Sequence, residues 1–253
     1  MTASTAAALP QTCCPTVWLW PGQALYAGPS LNLEPHSGSV WCFAVGIGGP
    51  LMVATPDGST REGASLLIPP RLTHHLTCLG SGLVSCYLEP TSVRAESCRS
   101  RMSTWVGDIG VAHVAEIDLA LTPADDESAC RWLDLAAPAA QRDIDPRIAA
   151  AAHRIRTDPA TAVPSQELAA EAGLSESRFL HLFRDELGTS LRRYRIWVRL
   201  VHAGTAIAGG ANLTEAAMKS GFASPSHLAD RFKSTFGLSA SRLLQTGLVV
   251  RTP

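Results

Sequence analysis

Ser175-Glu-Ser-Arg-Phe-Leu-His-Leu-Phe-Arg-Asp-Glu-Leu-Gly-Thr-Ser190 aligns without a gap on Ser224-Pro-Ser-His-Leu-Ala-Asp-Arg-Phe-Lys-Ser-Thr-Phe-Gly-Leu-Ser239. Ser175/Ser224, Ser177/Ser226, Phe183/Phe232, Gly188/Gly237 and Ser190/Ser239 are identical, and Phe179/Leu228, Arg184/Lys233 and Leu187/Phe236 match in kind. Each copy follows a short segment ending on glycine, Leu168–Gly173 and Glu215–Gly221, with a small residue four positions earlier, Ala169 and Ala217. Two helices approach closely where a small side chain lets them, and the sharp turn between them needs the positive φ that glycine accepts without steric cost. A serine then stands where a helix N-cap is wanted, its oxygen placed to take an orphan backbone N–H. Asn212 and Glu215 have the spacing of a capping box, whereas the first copy has Pro164 at the equivalent place. The pattern predicts two helix-turn-helix units, at about 164–187 and 212–236.

In the second helix of each unit the apolar residues recur at helical spacing: Phe179, Leu182, Phe183 and Leu187, then Leu228, Phe232 and Phe236. The opposite face carries Ser177, Arg178, His181 and Arg184 in the first copy, and Ser226, His227, Asp230 and Lys233 in the second. An apolar back with a front of short polar or basic residues suits a major groove, where base edges present donors and acceptors. One such helix alone is equally consistent with a solvated surface; two with the same turn chemistry favour a reading role. Between the units, Leu191–Ala208 reads as one helix of about 27 Å. A rigid spacer of that size is expected to set the reading helices ~34 Å apart, one turn of B-DNA, for a footprint on the order of 20 bp per monomer. Arg192, Arg193, Arg195 and Arg199 near its start read as phosphate or solvent contacts.

The charge distribution agrees. Residues 1–145 hold seven arginines against fourteen carboxylates (net −7), and residues 146–253 hold fourteen basic side chains against eight acidic ones (net +6). A basic C-terminal half on an acidic partner is what a nucleic-acid module joined to a different kind of domain shows. The chain has 253 residues, 46% hydrophobic and 17% charged, enough for two globular domains. Met1–Pro10 lacks the basic start and apolar run of a signal peptide, and no stretch has the length of a membrane span, so a cytoplasmic, nucleoid-associated protein is expected, without a membrane partner. The seven cysteines, Cys13, Cys14, Cys42, Cys78, Cys86, Cys98 and Cys130, contain no Cys-x-x-Cys pair and all precede residue 131. They read as reduced, partly buried thiols. A redox sensor is the alternative, with Cys78 and Cys86, which flank an expected hairpin turn at Gly80–Gly82, as the pair to test.

The first ninety residues read as short strands: Val40–Val45, Leu51–Ala54, Ser65–Ile68 and Leu83–Leu88, with Pro56-Asp57-Gly58 as a turn between two of them. Their spacing suggests a small antiparallel barrel or sandwich. Residues 92–104 and 126–137 are expected to be helical, and Asp145-Pro146 opens a helix over Arg147–Arg156. The fold class is therefore α+β: residues 1–138 a small β-barrel with trailing helices, 139–146 a linker, and 147–253 all-α.

Residues Asp145–Leu244 resemble the AraC/XylS family of transcription regulators, most closely over Gly221-Phe-Ala-Ser-Pro-Ser-His-Leu-Ala-Asp-Arg-Phe-Lys-Ser-Thr-Phe-Gly-Leu-Ser239. The resemblance implies base-edge contacts from Ser177, Arg178 and His181 in the first unit and from Pro225, Ser226, His227 and Asp230 in the second. Pro225 has no polar side chain for this, and Asp230 accepts from a cytosine amino group but repels phosphate. Ser175, Arg184, Arg192, Ser224 and Lys233 are the phosphate candidates. Gly63-Ala-Ser-Leu-Leu-Ile-Pro69-Pro-Arg-Leu-Thr-His74 is similar to the second cupin motif, with Arg71 where that motif has a glycine; the first motif and its metal ligands have no counterpart. The resemblance therefore implies a cupin-like sensor or dimerisation domain. Trp41, Phe43, His74 and Tyr87 are the candidate effector pocket, His75 and His36 only weak additions to His74 as ligands. No metal, cofactor or catalytic residue is expected: the chain has no Ser/His/Asp constellation, phosphate-binding loop or suitably spaced carboxylate pair, and Asp125-Asp126-Glu127 reads as a solvated helix start. The function expected is an activator of transcription acting on double-stranded operator DNA with RNA polymerase, under a small-molecule effector or homodimerisation. The alternatives are cysteine redox control, or a metal-binding cupin enzyme with a DNA-binding tail.

Overall fold

A computed structural model describes residues 15–31, 33–139, 144–237, 239–240 and 247–253; Met1–Pro10, Cys13, Cys14 and residues 140–143 of the expected linker lie outside them. The N-terminal half holds β1 (Thr16–Trp20), β2 (Gln23–Gly28), β3 (Trp41–Ile47), β4 (Leu51–Ala54), β5 (Thr60–Gly63), β6 (Ser65–Ile68), β7 (His75–Cys78) and β8 (Gly82–Leu88). It continues through α1 (Val93–Ser100), β9 (Met102–Val106), β10 (Ile109–His113), α2 (Glu116–Leu119) and α3 (Asp126–Ala136). The C-terminal half holds α4 (Pro146–Thr157), α5 (Ser165–Glu171), α6 (Glu176–Leu187), α7 (Leu191–Ala208), α8 (Leu213–Lys219), α9 (Pro225–Phe236) and β11 (Val249–Arg251).

The strands make an eight-stranded sheet, in the order β11-β1-β2-β8-β3-β6-β10-β9, and a three-stranded sheet, β5-β4-β7. The expected barrel is therefore an open arrangement, with β11 and β9 at the edges of the large sheet. The run Cys42–Gly46 is buried on both faces because alternate residues serve different cores. Phe43 and Val45 pack with Trp132, Leu133 and Ala136 of α3, while Cys42 and Ala44 pack with Leu51 and Val53 under the small sheet. A third core lies on β1 and β2, where Val17, Leu19, Ala24 and Tyr26 meet the C-terminal helices.

Two local expectations are corrected. The helix expected over 92–104 stops at Ser100 and gives way to edge strand β9. Gly80–Gly82 does not close a hairpin: Cys78 pairs with Leu51 in the small sheet, whereas Cys86 pairs with Leu25 and Phe43 in the large one, so the glycines carry the chain between sheets. Arg71, standing where the cupin-like motif has glycine, takes φ 68° and donates its N–H to the Gly38 carbonyl at 2.7 Å. No helix among the described residues is long and apolar enough to cross a membrane.

Candidate nucleic-acid interface

Both helix-turn-helix units form as their turn chemistry requires. Gly173 and Gly221 take φ of 65° and 77°, in the region where a Cβ is strained. Ala169 and Ala217 are buried at the helix crossings. Ser175 caps α6 by accepting from the Arg178 N–H at 3.4 Å, and Ser224 caps α9 by accepting from the His227 N–H at 3.0 Å. Asn212 Oδ1 takes the N–H groups of Thr214 and Glu215, both at 3.0 Å, and α5 starts at Ser165 without a side-chain cap.

The two units are built on different floors. The first has a helical core: Ile148, Ala152 and Ile155 of α4, Leu168 of α5, Phe179 and Phe183 of α6, and Tyr194 and Val198 of α7. The second shares its core with the sheet: Trp197, Leu200 and Ala203 of α7, Ala216 and Ala217 of α8, and Leu228 and Phe236 of α9 pack on β1 and β2. Helix α7 belongs to both, turning Tyr194 and Val198 to one core and Trp197 and Leu200 to the other.

With the apolar backs so buried, the fronts face outward. Ser177, Arg178, His181 and Arg184 are exposed on α6, Ser226, Asp230 and Lys233 on α9, and Arg192 at the start of α7; Ser175 is exposed, and Ser224 and His227 are half-buried. Among the described residues the side chains of Arg178, Arg184, Arg192 and Lys233 make no ion pair. The other three arginines of α7 are used inside the protein instead of facing a ligand. Arg195 donates to the Val163 carbonyl, Arg199 Nε donates to the Pro159 carbonyl at 3.1 Å, and Arg193 pairs with Glu89. The reading of Arg193, Arg195 and Arg199 as phosphate or solvent contacts is corrected accordingly. His227 is likewise engaged, its ring within hydrogen-bond reach of Arg231 Nε and edge-on to Phe222.

Glu89, which sequence reading passed over, is the joint between halves. It is 2% exposed and sits just after β8. One oxygen pairs with Arg193 Nε at 2.5 Å and the other accepts from Trp197 Nε1 at 2.8 Å. Two further contacts bind α6 and α9 to the same half. Thr91 Oγ1 donates to the carbonyl of Gly188 after α6, and the Ser39 N–H donates to the Thr235 carbonyl in α9 at 3.0 Å. Strand β11 adds to β1 in parallel. A lone glutamate near a strand end gives no sign in the sequence of a partner more than a hundred residues away.

The four residues expected to line an effector pocket are not brought together. Phe43 is fully buried against His113 and Trp132 on one face of the sheet, and Trp41 meets Trp105 edge-on beneath the Arg99 guanidinium. Tyr87 lies across from Cys42 on the other face and meets Phe236 edge-on. His74 is buried beside His36, ring centroids 4.6 Å apart, with Nδ1 2.9 Å from the Leu72 carbonyl. Burial pushes its pKa down to about 4, with a further lowering from the neighbouring His36 and His75. Cavities do exist, but between the sheet and the second unit. One of about 40 Å³ is walled by Val17 and Leu19 on β1, Leu200, Leu228 and Phe232 on the helices, and Val250 on β11. A neighbouring one of about 20 Å³ reaches Tyr87, the only one of the four to line either. Among the described residues no group of three or more His, Cys, Asp or Glu side chains is placed to hold a metal. Cys86 is fully buried, and burial raises its thiol pKa well above the ordinary value, which suppresses the thiolate a redox switch needs.

The comparisons with known proteins fall on the same segment. Residues 168–246 match the family described as helix-turn-helix domain. Over nearly its full length the chain resembles the solved structure of ToxT from Vibrio cholerae (14% identity, 92% of this chain and 97% of that one, TM-score 0.44). The DNA-binding domain of AdpA, solved with a target DNA, is 24% identical over 40% of this chain and 94% of its own, with a TM-score of 0.37. A transcriptional regulator with an AraC-type DNA-binding domain from Chromobacterium violaceum is 19% identical over 40% of this chain and 92% of its own, with a TM-score of 0.36. No curated protein sequence matches the chain. Residues 168–246 are a helix-turn-helix domain, carried on a chain with a β-rich N-terminal half.

Proposed function

We propose that the protein is an effector-controlled activator that grips operator DNA with α6 and α9 in successive major-groove segments. The observation that carries this reading is the pair of capped helices with buried apolar backs and exposed polar fronts, joined by one 18-residue helix. Ser177, Arg178, His181, Ser226 and Asp230 are the base-edge candidates; Ser175, Arg184, Arg192, Ser224 and Lys233 hold phosphates. Genomic footprinting of the tagged protein tests it. Discrete protected sites on the order of 20 bp per monomer are expected from two helices one turn of DNA apart; protection spread evenly over the genome refutes specific recognition.

Effector control is placed in the apolar cavity between β1 and the second unit. Its walls come from both halves and leave only about 40 Å³, so a molecule wedged there must widen the gap and move α9 relative to the sheet, and an effector of mainly apolar surface suits its lining. Leu19→Phe, which fills much of the gap, is expected to fix promoter output at one level in a reporter strain, with or without inducing conditions. RNA polymerase and a second copy of the chain are the proposed protein partners, on the strength of the AraC/XylS resemblance; the reporter response and the mass of the DNA-bound species test them.

A further inference from the structure

The second reading helix looks poorly equipped in sequence: Asp230 stands where the first has His181, and His227 where the first has Arg178. The fold supplies a guanidinium by another route. His227 and Arg231 are one helical turn apart, and Arg231 Nε donates to His227 Nε2 at 3.2 Å. The ring is held from behind by Phe222, centroids 5.4 Å apart and nearly perpendicular. Its Nδ1 faces the Ala223 N–H at 3.4 Å. Helical side chains lean toward the N-terminus, so Arg231 lies back over the turn that His227 begins. Its charge is thereby carried toward the place that Arg178 fills in the first unit, whose own residue at the position of Arg231 is Leu182.

Among the described residues, the Nη atoms of Arg231 have no hydrogen-bond or ion-pair partner. A guanidinium tied at Nε has its plane fixed and its remaining donors directed away from the tie. That planar, pre-set fork fits guanine O6 and N7, which a flexible ammonium does not match.

We propose that Arg231 reads a guanine in the half-site of the second unit, with His227 as its positioning residue. This rests on the DNA-binding reading above and adds a residue and a base class to it. The test is selection from a random duplex library by the full-length protein, comparing wild type with Arg231→Ala, Arg231→Lys, His227→Gln and His227→Ala, each checked for an unchanged unfolding midpoint. Wild type is expected to enrich a two-part motif with a preferred guanine in one part. Arg231→Ala loses that preference alone and binds the wild-type motif about 10- to 100-fold more weakly. Arg231→Lys keeps affinity at low salt but not the preference. His227→Gln, which retains an acceptor, keeps the preference that His227→Ala loses. An unchanged motif from Arg231→Ala overturns the inference, as does an equal loss on every duplex with a reduced salt slope, the mark of a phosphate contact. If wild type itself enriches nothing, the DNA-binding reading falls, and this one with it.

Discussion

At the scale of single residues, the roles proposed for Arg178 and Arg184 put two kinds of contact on one helix. Arg178 is the third residue of α6 and Arg184 lies almost two turns further on, both exposed. Arg178→Ala is expected to cost about 1–3 kcal/mol on a cognate site and to relax base preference there. Arg184→Ala is expected to weaken all sequences alike and lower the salt slope by about one. Fluorescence titrations with cognate and scrambled duplexes at several salt concentrations distinguish them. His74 makes a different prediction, for stability. Its pKa falls from 6.5 to about 4 in the fold, because burial disfavours the imidazolium. The unfolded chain therefore takes up the proton first as pH drops, and the stability present above pH 6.5 is lost between 6.5 and 4, up to about 3 kcal/mol. Denaturant titrations from pH 7 to pH 4 are expected to show a shallower fall for His74→Asn.

At the scale of elements, α7 is the axis on which both units are assembled. The first unit depends on its own helices, so Phe183→Ala, which empties a site between Phe179 and Tyr194, is expected to cost roughly 3–5 kcal/mol. The second depends on the joint to the sheet. Glu89→Ala leaves the Trp197 N–H without its partner and the Arg193 guanidinium with only the Ser39 carbonyl, and is expected to cost about 1–3 kcal/mol. Hydrogen exchange read peptide by peptide is the measurement for both: Phe183→Ala speeds exchange in α4–α6, whereas Glu89→Ala speeds it in α7–α9 and β8. The same patterns in both variants would show that the two cores do not open separately.

At the scale of the whole molecule, the 147–253 segment is not built as a free-standing block. Its first unit closes over its own core, but Leu200, Leu228 and Phe236 of the second rest on Val17, Leu19 and Tyr26 of the sheet. A fragment spanning 146–253 is accordingly expected to protect amides in α4–α6 and to exchange rapidly in α8 and α9, with the full-length protein as the reference. The two units themselves were legible from residues alone. A cap serine, a turn glycine and a small crossing residue act within a few positions of one another, and 3.6-residue periodicity shows which face of each helix is apolar. Strands Leu51–Ala54 and Ser65–Ile68 were legible for the same local reason. What covers an apolar face is a different matter, because it depends on contacts distant in sequence. The open sheet, the parallel β11 on β1, the pairing of Glu89 with Arg193, the scattering of Trp41, Phe43, His74 and Tyr87, and the recruitment of Arg195 and Arg199 to backbone carbonyls are all decided there. Short-range backbone chemistry is written in the order of residues, whereas the partner of a buried charge or an exposed stripe is fixed only when the chain has closed on itself.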